Sequence, residues 1–210
     1  RTRVVFTGAG TSQYVGDTIT PYLRRFGEKN AFEFASVATT DIVSDPLGSL
    51  DADDPTVLIS FARSGNSPES MAAVQVARSL VKDLLLVNIT CAPEGRLAVE
   101  SQGKTDTLTL LIPGANDQGF AMTGSFSCMA LLATLVFDTS SHEQKAAWVM
   151  DAATLGREVI SREHEIAAWL ETDFERITYL GSGPFSGLAR EAQLKVLELA
   201  AGKNPTSFDS

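Results

Sequence analysis

Residues that build metal centres and disulfides are scarce in this chain, which has two cysteines and two histidines among 210 residues. Cys91 and Cys128 lie in apolar contexts without the close spacing of metal ligands, and we predict two buried, reduced thiols. His142 and His164 have no cysteine or second histidine nearby, so a surface or helix-packing role is the better interpretation. The sequence therefore predicts neither a metal site nor a disulfide.

Basic residues are also in deficit, with 17 Lys and Arg against 26 Asp and Glu and a net charge of −9. A nucleic-acid partner needs a basic surface, so that class of ligand is excluded. No apolar run reaches the length of about 18 residues that predicts a membrane-spanning helix. The first residues lead directly into a strand-like run rather than a signal peptide, so we expect a cytoplasmic location. The abrupt start and end are typical of a fragment.

Short apolar runs alternate with helical patterns along most of the chain. Strands are predicted at 3–7, 31–37, 56–61, 84–89 and 107–112, each nearly continuously apolar, as in parallel strands covered on both faces. Helices are predicted at 13–26, 68–81, 95–101 and 124–137. This alternation predicts an α/β fold with a doubly wound parallel sheet. Pro21 lies inside the first helix and is expected to kink it or shorten its start.

The pattern changes after residue 140. Charged residues spread through the next thirty or so positions without strand signals, and apolar residues recur there at roughly helical spacing, which predicts one or two helices. A new strand begins at Arg176. The predicted organisation is a first domain over 1–140, connecting helices over 141–173 and the truncated start of a second domain over 174–210.

Two segments of the chain match each other in chemical character. Residues 3–10 (RVVFTGAG) and 176–183 (RITYLGSG) each consist of an arginine, a β-rich run and a Gly-x-Gly turn that leads into a helix. We interpret the match as an internal repeat of an α/β domain. The second copy is predicted to contain one strand and one helix before the chain stops.

The first Gly-x-Gly turn, in residues 8–12 (GAGTS), predicts an anion site. Such a turn directs backbone N–H groups and the positive end of a helix dipole at the carboxyl edge of the sheet, where ligands of α/β proteins bind. A dinucleotide-binding turn is the rival interpretation, and Glu33 lies roughly where its ribose-binding acid would be. That fingerprint needs a third glycine, however, where this chain has Gln13 and, in the second copy, Ser186. A smaller anion is therefore favoured.

A second loop at 62–69 (ARSGNSPE) follows the third strand and strengthens this prediction. Ser67 is suited to cap the next helix, and capping alone would explain it. Capping explains neither Ser64 nor Asn66, which flank a glycine. Hydroxyls grouped around a glycine at a helix start form a cup for a monophosphate. Arg63 either adds positive charge to this cup or is simply solvated.

A third loop, 113–124 (PGANDQGFAMTG), follows the fifth strand and precedes a helix. It is polar and glycine-rich, so we expect it to lie over the ligand. Thr123 is a candidate ligand contact, although a helix cap explains it equally well.

Taken together, these residues resemble the sugar isomerase (SIS) domain family, found in glucosamine-6-phosphate synthase and in phosphosugar-binding regulators. Residues 10–12 (GTS) and 64–67 (SGNS) are similar to that family's phosphate-binding loops, and the resemblance covers nearly the whole chain. More narrowly, residues 61–70 and 190–203 resemble the tagatose-6-phosphate ketose/aldose isomerase group, also described as galactosamine-6-phosphate deaminase/isomerase.

The resemblance implies a three-layer α/β/α fold, a small-molecule phosphosugar ligand, no cofactor, no membrane association and a homo-oligomer. Arg63 stands where the synthase has a glutamine, and Asn66 where it has a glutamate. The residues implied to bind substrate are Gly10, Thr11, Ser12, Arg63, Ser64, Asn66, Ser67, Thr123 and Lys195.

Three residues near the chain's end share one helix face. Glu191, Lys195 and Glu198 are spaced i, i+4 and i+7, which on spacing alone favours a solvated, salt-bridged face. The resemblance instead implies that Glu198 is the catalytic base that moves a proton between C1 and C2 of the sugar, and that Lys195 contacts the substrate.

The family's ring-opening histidine, which stands in a His-Gly-Pro context, has no counterpart here, so that role is assigned to neither histidine. Either the chain is cut short or this copy does not open the ring. The resemblance thus implies a sugar-phosphate aldose/ketose isomerase or amino-sugar-phosphate deaminase of the tagatose 6-phosphate and galactosamine 6-phosphate type. A non-catalytic phosphosugar sensor is the alternative.

Overall fold

The computed structural model describes residues 1–171 and 174–209. Five strands alternate with helices over the first 137 residues. The strands are β1 Thr2–Gly8, β2 Phe32–Ala38, β3 Thr56–Ala62, β4 Leu84–Thr90 and β5 Thr107–Leu111. The helices are α1 Thr11–Phe26, α2 Thr39–Ser44, α3 Pro46–Ser49, α4 Pro68–Leu80, α5 Arg96–Ser101 and α6 Gly124–Phe137.

The five strands form one parallel sheet in the order β2-β1-β3-β4-β5. The chain therefore leaves β1 toward one side of the sheet for β2 and crosses to the other side for β3, as in other doubly wound folds. The predicted parallel α/β fold is confirmed. Because β2 and β3 lie on opposite sides of β1, the direction of the chain across the sheet reverses between β1 and β3. This switch point opens a crevice between the carboxyl ends of these two strands.

The apolar strands bury both faces of the sheet, because their side chains alternate between two helical layers. Val4, Phe6 and Ile59 pack on one face with α1 and α6. Val5 and Leu58 pack on the other face with α2 and α4. The result is the expected arrangement of helices on both sides of a central sheet.

Helix α1 differs from its prediction at the start. It begins at Thr11, two residues before the predicted start at 13, and continues without a break through Pro21 to Phe26. The expectation that Pro21 shortens the start is therefore wrong. Val15, Ile19 and Leu23 are buried along the helix, and this packing outweighs the local preference against an internal proline.

The residues after the sheet form two helices, α7 His142–Ser161 and α8 Glu163–Leu170, with no buried residue in either. The predicted helical connection is thus present over this stretch, while its last two predicted positions, 172 and 173, lie outside the described residues. No helix of the described part of the chain is long and apolar enough to cross a bilayer.

The C-terminal segment contains β6 Ile177–Leu180, α9 Pro184–Leu199 and β7 Thr206–Asp209, with β6 and β7 paired in parallel. The prediction of a single strand and helix here is wrong, because β7 follows the helix. Residues 206–209 (TSFD) are mostly polar and half-exposed or exposed, so they lack the apolar run that marks a buried strand.

Helix α9 packs against α1 in the opposite direction. Gly187 lies against the backbone of α1, where an added Cβ would come within 2.5 Å of the Thr18 nitrogen. Arg190 forms an ion pair with Asp17 at 3.1 Å. Further along, Glu191 reaches Thr11. This antiparallel docking carries the C-terminal half of α9 toward the N-terminus of α1.

Candidate functional site

A cleft opens at the switch point, where the carboxyl ends of β1 and β3 lie side by side. Ligands of doubly wound sheets bind at this position. The cleft has a volume of about 170 Å³ and is lined by both predicted anion-binding loops. Its polar lining comes from Ser12, Arg63, Ser64, Ser67 and Ser70.

Two of the predicted serines offer hydroxyl protons to a ligand in the cleft. Ser12 lies in the first turn of α1, and among the described residues none hydrogen-bonds its side chain. Ser64 is exposed, and its Oγ only accepts a long hydrogen bond from the backbone N–H of Asn66 at 3.4 Å. Each hydroxyl has a proton to donate, which is what a phosphate oxygen requires.

The starts of helices α1 and α4 both lie at the cleft. Gly10 precedes α1 with φ 55° and ψ −127°, a conformation that favours glycine, and gives that helix no side-chain cap. Gly183 precedes α9 with nearly the same angles, φ 57° and ψ −127°. The start of α1 therefore presents the positive end of a helix dipole to the cleft, although the backbone N–H groups of Ser12 and Gln13 donate to the Ala9 and Gly10 carbonyls.

Ser67 has the capping role that its sequence position also allowed. Its Oγ accepts a hydrogen bond from the backbone N–H of Ser70 at 3.2 Å and donates to the Ser70 Oγ at 2.7 Å. The Ser70 residue lines the cleft, and its hydroxyl has its own proton to donate to a ligand there. The sequence did not lead us to predict Ser70 as part of the cleft lining. The available signal was its position, three residues after the capping serine.

Arg63 and Asn66 are engaged with other loops. Arg63 Nη1 donates to the backbone carbonyls of Gly119 and Phe120 at 3.0 and 3.3 Å. Asn66 Oδ1 accepts from the backbone N–H of Arg96 at 3.0 Å, at the start of α5. Both side chains therefore connect the second loop, residues 62–69, to its neighbours, and neither is simply solvated.

The third loop is held by Asp117, which the sequence did not single out. Its carboxylate accepts hydrogen bonds from the backbone N–H groups of Thr123, Gly124 and Ser125 at 2.9–3.1 Å and from the hydroxyls of Thr123 and Ser125. Thr123 precedes α6 but makes no side-chain cap; Asp117 caps the helix instead. The Thr123 proton is thereby committed to Asp117 rather than to a ligand.

We predict that Asp117→Asn lowers the free energy of unfolding by about 1–3 kcal/mol at pH 7, because a charged cap with five donors becomes neutral. Burial alone would raise the pKa of Asp117, but the Ser125 and Thr123 hydrogen bonds hold it below the usual range. A lowered folded-state pKa contributes stability above the unfolded pKa, which is lost as the pH falls. Urea unfolding at pH 7 and pH 3 measures the difference, which should shrink at pH 3.

The exposed Asp51 provides the control, since its carboxylate accepts only the backbone N–H of Asp53. Asp51→Asn should change stability by less than about 0.5 kcal/mol. Equal effects of the two substitutions would contradict the capping role of Asp117.

Helix α9 delivers its three charged residues to the start of α1. Lys195 Nζ donates to Thr11 Oγ1 at 2.9 Å and lies 2.6 Å from Glu198 Oε2 and 3.3 Å from Glu191 Oε1. Thr11 Oγ1 in turn donates to Glu191 Oε1 at 3.1 Å. The four side chains form one polar cluster beside Ser12. Thr11 thus faces α9 and is not part of the cleft lining.

Glu191 is buried, with 4% of its surface exposed, and its Oε2 has no hydrogen-bond partner among the described residues. Burial raises its pKa above the usual range, against the lowering influence of Lys195 and of the Thr11 hydrogen bond. The helix face is salt-bridged, as its spacing predicts, but the expectation that it is solvated is wrong for Glu191. A buried carboxylate held by a lysine and a hydroxyl is typical of functional clusters.

The family model of the SIS domain matches residues 1–137. The chain belongs to the SIS domain family. The matched region spans the five-stranded sheet, all three loops and helices α1 to α6, so it contains the whole cleft.

The relatives of this chain include proteins named D-galactosamine-6-phosphate deaminase. The chain is 39% identical over 210 residues to the D-galactosamine-6-phosphate deaminase AgaS of a Shewanella species, covering 99% of this chain and 53% of that protein. It is 40% identical over 214 residues to the Escherichia coli protein of that name, covering 99% and 54%. The chain thus spans about half the length of the relatives it matches.

Solved structures agree with the SIS fold. A structure from Clostridium novyi superposes with a TM-score of 0.92 at 42% identity, over all of this chain and 53% of the other. The tagatose-6-phosphate ketose/aldose isomerase of Escherichia coli superposes with a TM-score of 0.81 at 38% identity, over 99% of this chain and 56% of that one. The narrower resemblance drawn from residues 61–70 and 190–203 is confirmed by these similarities.

Proposed function

We propose that the protein containing this SIS chain is a sugar-phosphate isomerase or amino-sugar-phosphate deaminase, acting on galactosamine 6-phosphate or tagatose 6-phosphate. One observation carries the proposal: α9 brings Lys195 and Glu198 to Thr11, the residue directly before Ser12 of the anion cleft. A phosphate anchor and an acid–base pair thereby lie next to each other. The names of the relatives support the same chemistry.

The cleft supplies the anchor of the reaction. The hydroxyls of Ser12 and Ser64 and the start of α1 would bind the phosphate, which is remote from the reacting carbons. Binding energy from this remote group positions the open-chain sugar at the catalytic residues. The local donors offset the overall negative charge of the chain, which would otherwise repel a phosphate.

Glu198 would carry out the proton transfer. As a general base, its carboxylate takes the C2 proton of the open-chain aldose. The C2–H electron pair becomes the C1=C2 double bond while the π pair of the C1 carbonyl moves to its oxygen, which takes a proton from solvent, giving an enediol or, with a 2-amino group, an enolamine. The proton on Glu198 then returns to C1 and the O2 or N2 group releases a proton to solvent, so a ketose or a 2-imine results. Water hydrolyses the imine to ketose phosphate and ammonia. Lys195, 2.6 Å from Glu198 Oε2, orients this carboxylate.

The direct test is an assay of the full-length protein with D-galactosamine 6-phosphate and tagatose 6-phosphate, following ammonia and ketose. Glucosamine 6-phosphate, which differs only in the configuration at C4, is the matched control for sugar recognition. Ammonia release from galactosamine 6-phosphate would support the deaminase, and interconversion without ammonia the isomerase. Binding of both sugars without turnover would overturn the enzyme and favour a phosphosugar sensor.

A further inference from the structure

The Thr11 hydroxyl both donates and accepts a hydrogen bond within the cluster that it forms with helix α9. A threonine hydroxyl carries one proton to donate and accepts through its lone pairs. The Thr11 proton goes to Glu191 Oε1 at 3.1 Å, and a lone pair accepts from Lys195 Nζ at 2.9 Å. Thr11 is also buried, with 4% exposure. A residue in this state has no proton left for a phosphate oxygen, in contrast to its neighbour Ser12.

We infer that Thr11 is a positioning residue rather than a phosphate ligand: it ties the phosphate loop to the acid–base pair of α9. This inference rests on the proposed function of Glu198. The side chains form a continuous chain of contacts from Glu191 through Thr11 and Lys195 to Glu198. Thr11 is the only member that belongs to the loop, so it couples the loop to α9.

The backbone geometry makes this coupling direct. Thr11 and Ser12 are consecutive residues of the first turn of α1, and Ser12 lines the cleft while Thr11 faces α9. The docking of α9 is set further along by Gly187, which allows close backbone approach, and by the Arg190–Asp17 ion pair. Those contacts set where α9 lies; the Thr11 hydroxyl then sets where the Lys195 ammonium points.

Charge explains why a hydroxyl is needed at this place. The Glu191 carboxylate is buried, and burial raises its pKa, while Lys195 and the Thr11 hydrogen bond act in the opposite direction and favour the charged form. Lys195 Nζ lies between the two carboxylates, 3.3 Å from Glu191 Oε1 and 2.6 Å from Glu198 Oε2. Without the hydroxyl, Lys195 loses its neutral acceptor and Glu191 keeps a single donor.

The test compares Thr11→Val, Thr11→Ser and Ser12→Ala in the full-length protein. Thr11→Val keeps the shape but removes the hydroxyl, and we expect kcat to fall about 10- to 100-fold, the cost of one to two hydrogen bonds to charged groups. Dissociation constants for the sugar phosphate and for inorganic phosphate should stay within about threefold. Thr11→Ser should restore most of kcat. Ser12→Ala should instead weaken binding of both ligands.

Thr154→Val is the control, because Thr154 is exposed on α7 and its hydroxyl bonds its own helix at the Met150 carbonyl, 2.9 Å away. It should leave kcat within about twofold. If the Thr11→Val protein does not fold, Thr11→Ala is used in its place, because it removes the same hydroxyl.

Two results would overturn the inference. One is a Thr11→Val protein that binds phosphate as weakly as Ser12→Ala with kcat unchanged, which would make Thr11 a phosphate ligand. The other is failure of Thr11→Ser to recover activity. An error in the proposed base role of Glu198 can be distinguished from an error in this inference. It would appear as full turnover in Glu198→Gln, whatever the Thr11 variants do.

Discussion

Replacing Glu198 by glutamine in the full-length protein should lower kcat by about 10²- to 10⁴-fold, the usual contribution of a general base. Glutamine keeps the size and shape of the side chain and still accepts the hydrogen bond from Lys195, which lies 2.6 Å away in the native protein. It cannot take a proton from C2. Phosphosugar binding should persist, because the proposed phosphate contacts are the Ser12 and Ser64 hydroxyls of the two loops and not Glu198.

Initial-rate assays and calorimetric titration with the phosphosugar measure the two effects separately. The matched control is Glu143→Gln, an exposed glutamate in the first turn of α7, which should leave turnover within about twofold. Turnover of Glu198→Gln within about tenfold of the native rate would remove Glu198 from the base role, since that loss is below the range for general bases.

The second large effect is expected from the double substitution Ser12→Ala and Ser64→Ala. Each hydroxyl is predicted to donate one charge-assisted hydrogen bond to phosphate, and such bonds contribute about 1.5–3 kcal/mol each. Because both donate to one ligand, their effects need not add. We therefore expect the dissociation constant of the phosphosugar to rise about 10²- to 10³-fold, and that of inorganic phosphate to rise with it.

Titration calorimetry with both ligands measures this effect, and thermal unfolding checks that the fold is intact. Ser79→Ala is the control: Ser79 lies on the exposed side of α4, and its hydroxyl bonds the Gln75 carbonyl of its own helix at 2.9 Å. Affinity unchanged to within about twofold in the double variant would mean that the ligand is not held by these hydroxyls.

The five sheet strands could be predicted from sequence because each is a short, nearly continuous apolar run. In the structure, no end of these strands differs from its predicted position by more than one residue. Helices α2 and α3 were not predicted, since they are six and four residues long and too short to show a helical period. Strand β7 was missed because its residues are largely polar.

The residues of the candidate site likewise fall into those that local sequence predicts and those that it does not. Ser12 and Ser64 follow from local rules: hydroxyls beside a glycine, at the carboxyl end of a strand, where a helix begins. The direction of the Thr11 side chain could not be predicted in this way. It depends on Glu191 and Lys195, which are 180 and 184 positions away in the sequence. Asp117 likewise caps α6 from several residues upstream, through the conformation of its loop.

The sequence by itself determined the parallel α/β sheet, the two hydroxyl-bearing loops and the shared helix face of Glu191, Lys195 and Glu198, because periodicity and turn chemistry act between near neighbours. The tertiary structure alone decided which of these groups meet. Packing of α9 on α1 brings Lys195 to Thr11, turns that hydroxyl away from the cleft and buries Glu191. Contacts of this kind depend on complementary shape and charge between segments that are distant in the sequence. Local sequence patterns therefore do not predict them.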